Sequence, residues 1–140
     1  LWFTLCAFLM TAALCAIFTM LALLNQNKAV VAVVCISLAY FLLFLGIYFN
    51  SRLTEQAVIP AREYIENGQI LMREAMPNPA YVQGLKRAIF EALYDLPGCQ
   101  AVQLIAAAEA RPIRLPLVSL GVIAASAAAG LALFRRKDLK

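Results

Sequence analysis

The run Ala29-Val-Val-Ala-Val-Val-Cys-Ile-Ser-Leu-Ala-Tyr-Phe-Leu-Leu-Phe-Leu-Gly-Ile-Tyr-Phe49 holds no charged residue. A helix needs ~20 predominantly apolar residues to cross the hydrocarbon core of a bilayer. Leu1 to Leu24 and Leu115 to Phe134 are uncharged runs of the same kind. None alternates apolar and polar residues with a period of two, so the runs predict helices, not barrel strands. A chain of 140 residues with 64% hydrophobic residues and a mean hydropathy of +0.80 carries more apolar surface than a small water-soluble core conceals. The sequence therefore predicts an all-α integral membrane protein with spans at 1–24, 28–50 and 115–134.

The charges are sorted by position. Lys28 lies between the first two spans, and Arg135, Arg136, Lys137, Asp138 and Lys140 follow the third. The positive-inside rule assigns the 135–140 tail to the cytoplasm, as membrane anchoring beside lipid headgroups. Alternation then puts the turn Asn25 to Lys28 inside, the 51–114 connection outside and Leu1 near the outer face. That connection carries seven basic and seven acidic residues, so its charge cancels. The net charge of +4 is thus a matter of membrane orientation and implies no nucleic-acid partner. The chain opens in Leu1-Trp-Phe with no charged segment before it, which is unlike a secretory signal and leads us to expect the C-terminal part of a larger polytopic protein.

Three of the four cysteines, Cys6, Cys15 and Cys35, fall in the spans, where cysteine acts as a small hydrophobe. Cys99 falls in the outer connection. With no histidine and no paired-cysteine motif, zinc, haem and iron–sulfur centres lack their usual ligands, and no metal or cofactor is expected. No ionisable residue interrupts a span, which argues against a proton relay or voltage sensor within them. Thr4, Thr11, Thr19, Ser37 and Tyr40 are polar groups inside the first two runs. Each hydroxyl can bond its own backbone as easily as a neighbouring helix, so none is assigned a transport role. The third span repeats small residues at four-residue spacing, Gly121/Ala125 and Ser126/Gly130, a pattern that lets helices approach closely, whereas the Phe- and Leu-rich second span is expected to face lipid. Trp2, Tyr48 and Phe49 lie where an outer aromatic belt would sit.

The connection 51–114 holds five of the six prolines and reads as a small structured segment. Asn67-Gly68 accepts the positive φ angles of a tight turn, which makes 62–73 a candidate hairpin. Asn78-Pro79 supplies an N-cap and an N1 proline for a helix over 79–96, striped with Val82, Leu85, Ile89, Leu93 and Leu96. Such a stripe suits a partner surface or the membrane interface. Pro97-Gly98 is expected to stop that helix, and a second is expected over 100–110. The pair is compatible both with a re-entrant hairpin and with one standing clear of the bilayer.

The stretch Asn78-Pro-Ala-Tyr-Val-Gln-Gly-Leu-Lys-Arg-Ala-Ile-Phe-Glu-Ala-Leu-Tyr-Asp-Leu-Pro-Gly-Cys-Gln-Ala-Val-Gln103 resembles the outer segment before the final helix of bacterial type-two ABC exporter permeases, particularly Firmicutes-like ones. The close Leu131-Ala-Leu-Phe-Arg-Arg-Lys-Asp-Leu-Lys140 is similar to theirs. The resemblance covers nearly the whole chain, as the last three of six helices. It implies a plasma-membrane permease subunit that works with a separate ABC ATPase and a second permease subunit, exporting substrate by alternating access. The amphipathic helix tethered between two spans leads us to expect that the outer segment 51–114 acts as an extracellular gate over the exit path. The first three helices and the cytoplasmic coupling helix of a full permease are absent from this sequence. No Gly-rich loop ends in Lys-Ser or Lys-Thr, and Gly84-Leu-Lys-Arg87 falls in a predicted helix, so ATP hydrolysis is expected on the other subunit.

Catalysis is not expected. Glu63, Glu66, Glu74, Glu91 and Asp95 are interleaved with bases like a solvated face. Ser51, Ser119 and Cys99 have no histidine to serve as base. The alternative class is a membrane-anchored sensor or assembly subunit with a ligand-binding ectodomain. The short turn 25–28 and the brief tail leave little room for a signalling module, which favours the permease.

Overall fold

The computed structural model describes residues 1–25, 27–66, 68–106 and 113–138. Three long helices, α1 (Trp2–Leu24), α2 (Lys28–Leu53) and α5 (Arg114–Asp138), are joined by short ones, α3 (Gly84–Tyr94) and α4 (Pro97–Ala106), and by four short strands. The three long helices are each long and apolar enough to cross a membrane.

Local chemistry sets the helix ends. Asn27 caps α2, its Oδ1 accepting from the amides of Ala29 and Val30 at 3.1 and 3.4 Å. Arg52 in the last turn suits the negative end of the helix dipole. Thr54 closes α2 by donating its hydroxyl to Asn50 O at 2.7 Å.

α1 and α5 pack side by side along most of their length and run in the same direction, with Leu23 beside Gly130. Ser126 and Gly130 are buried on this face, while Gly121 meets nothing, so only the second of the two small-residue pairs serves packing. α4 packs against both α1 and α2, which touch each other only sparsely, and so wedges between them. Its first turn meets α2 at Leu42 and Gly46. A Cβ on Gly46 would lie 2.9 Å from Cys99 Cα, and one on Gly98 would collide with Leu42. Gly98 sits at Leu42 and Val102 at Gly46, so α4 runs with α2. By helix rise, Leu42 is about 10 Å along α2 from Phe49, which sets the start of α4 beside the apolar run and not beyond it.

The segment between α2 and α3 folds as two antiparallel pairs, β1 (Val58–Ile59) with β4 (Met76–Pro77) and β2 (Arg62–Glu66) with β3 (Gln69–Arg73). β2 and β3 meet in the register Arg62↔Arg73, Tyr64↔Leu71 and Glu66↔Gln69. Gly68 has φ +78°, the left-handed conformation that glycine adopts freely. The Asn67 half of the expected turn lies outside the described residues.

Two helix boundaries differ from expectation. α3 starts at Gly84, not at Pro79, because Asn78 is otherwise engaged: its Oδ1 accepts from Ala80 N at 2.9 Å, and its Nδ2 donates to Glu55 Oε2 at 2.9 Å and Gln56 O at 3.0 Å. The chain makes a turn there, and helix begins only after Gly84, at φ +60°, redirects it. Pro97-Gly98 opens α4 instead of only closing α3, which ends at Tyr94. Proline suits the first turn of a helix, where its missing N–H has no partner to lose. Residues 107–110 of the expected 100–110 helix lie outside the described residues.

Candidate functional site

The densest set of side-chain hydrogen bonds joins the α3–α4 corner to the head of α5. Gln100 is 1% exposed; its Nε2 donates to Asp95 O at 2.7 Å and Leu115 O at 3.2 Å, and its Oε1 accepts from Ser119 Oγ at 2.9 Å. Gln103 Nε2 donates to Tyr94 O at 2.6 Å, and Tyr94 Oη donates to Asn50 Oδ1 at 2.8 Å. Cys99 Sγ donates to Leu42 O at 3.2 Å. Every link ties the corner to α2 or α5, or braces the corner itself, and each satisfies a group whose burial alone would be costly.

Asp95 is 3% exposed and lies 2.6 Å from Arg114 Nε, a charge contact in which no N–H is aligned as a hydrogen bond to Oδ2. Arg114 opens α5, where the helix dipole disfavours a cation, and the Asp95 carboxylate offsets that mismatch. Asp95 is therefore not part of the solvated acidic face that the sequence predicts for it. Glu91 fits the surface pattern better, paired with Arg87 one turn earlier at 3.2 Å.

Cys99 is completely buried. Burial pushes its thiol up to about 11, so little thiolate exists near neutral pH and the side chain is a poor nucleophile. Burial, followed by the neighbouring Cys99, pushes the Tyr94 phenol up to about 12. Among the described residues, no three metal-binding side chains cluster.

The expected stripe on α3 is turned away from this chain. Leu85 is 78% exposed and Ile89 48%, whereas the face that meets α2 is aromatic, with Phe90 packed on Phe49 and Tyr48 at ring separations of 5.0 and 6.0 Å. Tyr48 and Phe49 thus seat α3.

Two further features face outward. An apolar cleft of about 430 Å³ between α1 and α5 is lined by Thr19, Met20, Ser126, Gly130 and Phe134 among others. Thr19 donates its hydroxyl to Cys15 O and Thr11 to Ala7 O, both at 2.8 Å, so neither offers that proton to a ligand. On α2, Val33, Ser37, Tyr40, Phe44 and Ile47 recur at alternating spacings of four and three and are all exposed. Among the described residues Tyr40, 60% exposed, has no hydrogen-bond partner for its hydroxyl. Ser37 and Tyr40 carry no role by sequence alone; the three-four spacing of their apolar flanks is the signal that marks their face.

No family model, curated protein or solved structure matches this chain.

Proposed function

We propose that this chain is the C-terminal half of a type-two permease subunit in an ATP-driven exporter of a bacterial plasma membrane, with a cytoplasmic C-terminus. Its α3–α4 corner would be a re-entrant hairpin forming the outer gate. The observation that carries this reading is Tyr40. Its hydroxyl sits midway along the apolar run of α2 on an open seam, and a phenol facing hydrocarbon without a partner costs several kcal/mol. A second helix bundle or a wet translocation path against that seam removes the cost. α4 supports the same reading, since it docks beside Leu42 and Gly46 with its polar groups tied to neighbours, as a segment dipping into the outer leaflet requires. The outward stripe of α3 then rests on the leaflet surface.

The second reading, a membrane-anchored assembly subunit or sensor, draws on the β2–β3 hairpin, which packs on none of the described helices. Gentle solubilisation of the full-length protein from its own cells separates the two. The exporter reading expects a co-purifying subunit with a Gly-rich phosphate loop, whose ATP hydrolysis falls severalfold when Tyr40→Asp is introduced. A kinase, or no nucleotide-binding partner at all, would favour the sensor.

A further inference from the structure

The β2–β3 hairpin packs on none of the described helices. Apart from an exposed contact from Arg73 Nη2 to Met76 Sδ on β4 at 3.8 Å, it contacts no other described element, and Ile65 (76%), Ile70 (71%) and Met72 (70%) are largely exposed on one face. An isolated two-stranded hairpin is marginal in water. Arg62 and Arg73 also stand directly opposite each other, a like-charge pair that weakens the hairpin, and among the described residues neither forms an ion pair. Further strands along its edge would stabilise such a hairpin, and the sequence of β2 suits one.

We infer that the free edge of β2 pairs antiparallel with β2 of a second copy of this chain, centred on Tyr64, to make one four-stranded sheet. Glu66↔Gln69 closes the hairpin as a hydrogen-bonded pair, so the alternation of an antiparallel ladder turns the backbone groups of Arg62, Tyr64 and Glu66 toward β3. Those of Glu63 and Ile65 are left for the outer edge. A twofold axis at Tyr64 sets Glu63 opposite Ile65 of the copy, and the reverse, which uses all of these edge groups.

The same register is complementary in charge. Arg-Glu-Tyr-Ile-Glu read against itself puts position 62 opposite position 66 of the copy, arginine against glutamate, on both sides of a Tyr64–Tyr64 pair. Each Arg62 then lies between Arg73 and an acidic residue, which relieves the like-charge pair. β3 lacks this property. Gln-Ile-Leu-Met-Arg paired with itself about Leu71 sets Gln69 against Arg73 and leaves the arginines unrelieved. The twofold between adjacent antiparallel strands stands perpendicular to the sheet. Two copies in one membrane share an axis along the bilayer normal, so the sheet lies flat over the outer face.

The inference rests on the proposed function only in needing two copies in one membrane. The test uses full-length protein in native membranes, with Tyr64→Cys compared with Leu71→Cys under a mild oxidant, and the native mass measured in parallel. Non-hydrogen-bonded antiparallel neighbours lie about 4.5 Å apart at Cα, within disulfide reach. The expected result is that most of Tyr64→Cys is captured as a dimer and Leu71→Cys stays monomeric. Adding Arg62→Glu to Tyr64→Cys should reduce capture several-fold, and further adding Glu66→Arg should restore it. A dimeric native mass with no capture at position 64, or equal capture at 64 and 71, overturns the β2 interface and leaves the paired permease standing. A monomeric native mass with no capture overturns both.

Discussion

Ser119 Oγ and Gln100 Oε1 meet at 2.9 Å where neither side chain reaches solvent, and this bond stitches α4 to α5. The two helices share few other contacts, so the bond, the Gln100 amide's hold on Leu115 O and the Asp95–Arg114 contact set how far the corner can part from the last long helix. Ser119→Ala leaves a buried amide oxygen unpaired and should cost about 1–3 kcal/mol. Gln100→Ala removes the donor to Asp95 O and the second donor to Leu115 O as well as the acceptor for Ser119 Oγ, and should cost more. Thermal unfolding in detergent reads the order, and equal melting temperatures for both variants and the parent would contradict it.

Gly46 and Gly98 are where α4 touches α2 at backbone distance. Gly98→Ala should destabilise by about 1–3 kcal/mol through overpacking against Leu42. Leu42→Gly in the same molecule, which removes the Cβ that the new methyl meets first, should recover part of that loss, whereas Leu42→Gly alone should be destabilising. Additive losses in the double variant would mean that the helices meet elsewhere.

The Asp95–Arg114 pair is asymmetric, since the carboxylate is buried and the guanidinium half exposed. Arg114→Gln strands a buried charge, while Asp95→Asn leaves a cation that can turn to water. The arginine substitution should therefore lower the melting temperature more. The reverse order would place the carboxylate in contact with solvent.

Alkaline pH should loosen the corner. The fold raises the Cys99 thiol from 9.0 to about 11 by burying it, so the native state holds that proton more tightly than the unfolded chain does. This contribution is complete below the unfolded value and is lost as pH rises from about 9 toward 11. Tyr94 acts in the same sense at still higher pH. Cys99→Ala should flatten the fall in stability over that window, and melts at stepped pH with an unchanged slope would count against burial of the thiol.

The sequence was most legible where one solvent dictates the pattern. Uncharged runs at 1–24, 29–49 and 115–134 follow from hydrocarbon's intolerance of charge and sit within the three long helices. Gly68 likewise marked a turn, because few residues accept its φ. The wedge of α4 was hidden, since a glycine in an apolar helix looks the same whether it meets lipid, a neighbour or nothing, as Gly46 and Gly121 illustrate. Pro97-Gly98 carried two meanings, stop and start, and only the packing of Gly98 on Leu42 selects between them. Asp95 was indistinguishable from its acidic neighbours because its partner, Arg114, lies a whole helix away in sequence.

The central claim is that the chain threads a bilayer three times with residues 51–114 outside. A direct measurement uses single cysteines in a background with the native four replaced. Ile65→Cys and Asn25→Cys suit it, both positions being exposed, whereas Cys99 is too buried to report. With an impermeant maleimide on intact cells, or on spheroplasts if an outer membrane is present, Ile65→Cys should label at once and Asn25→Cys only after permeabilisation. Labelling of Ile65→Cys only after permeabilisation would reverse the topology, and the exporter reading would fall with it.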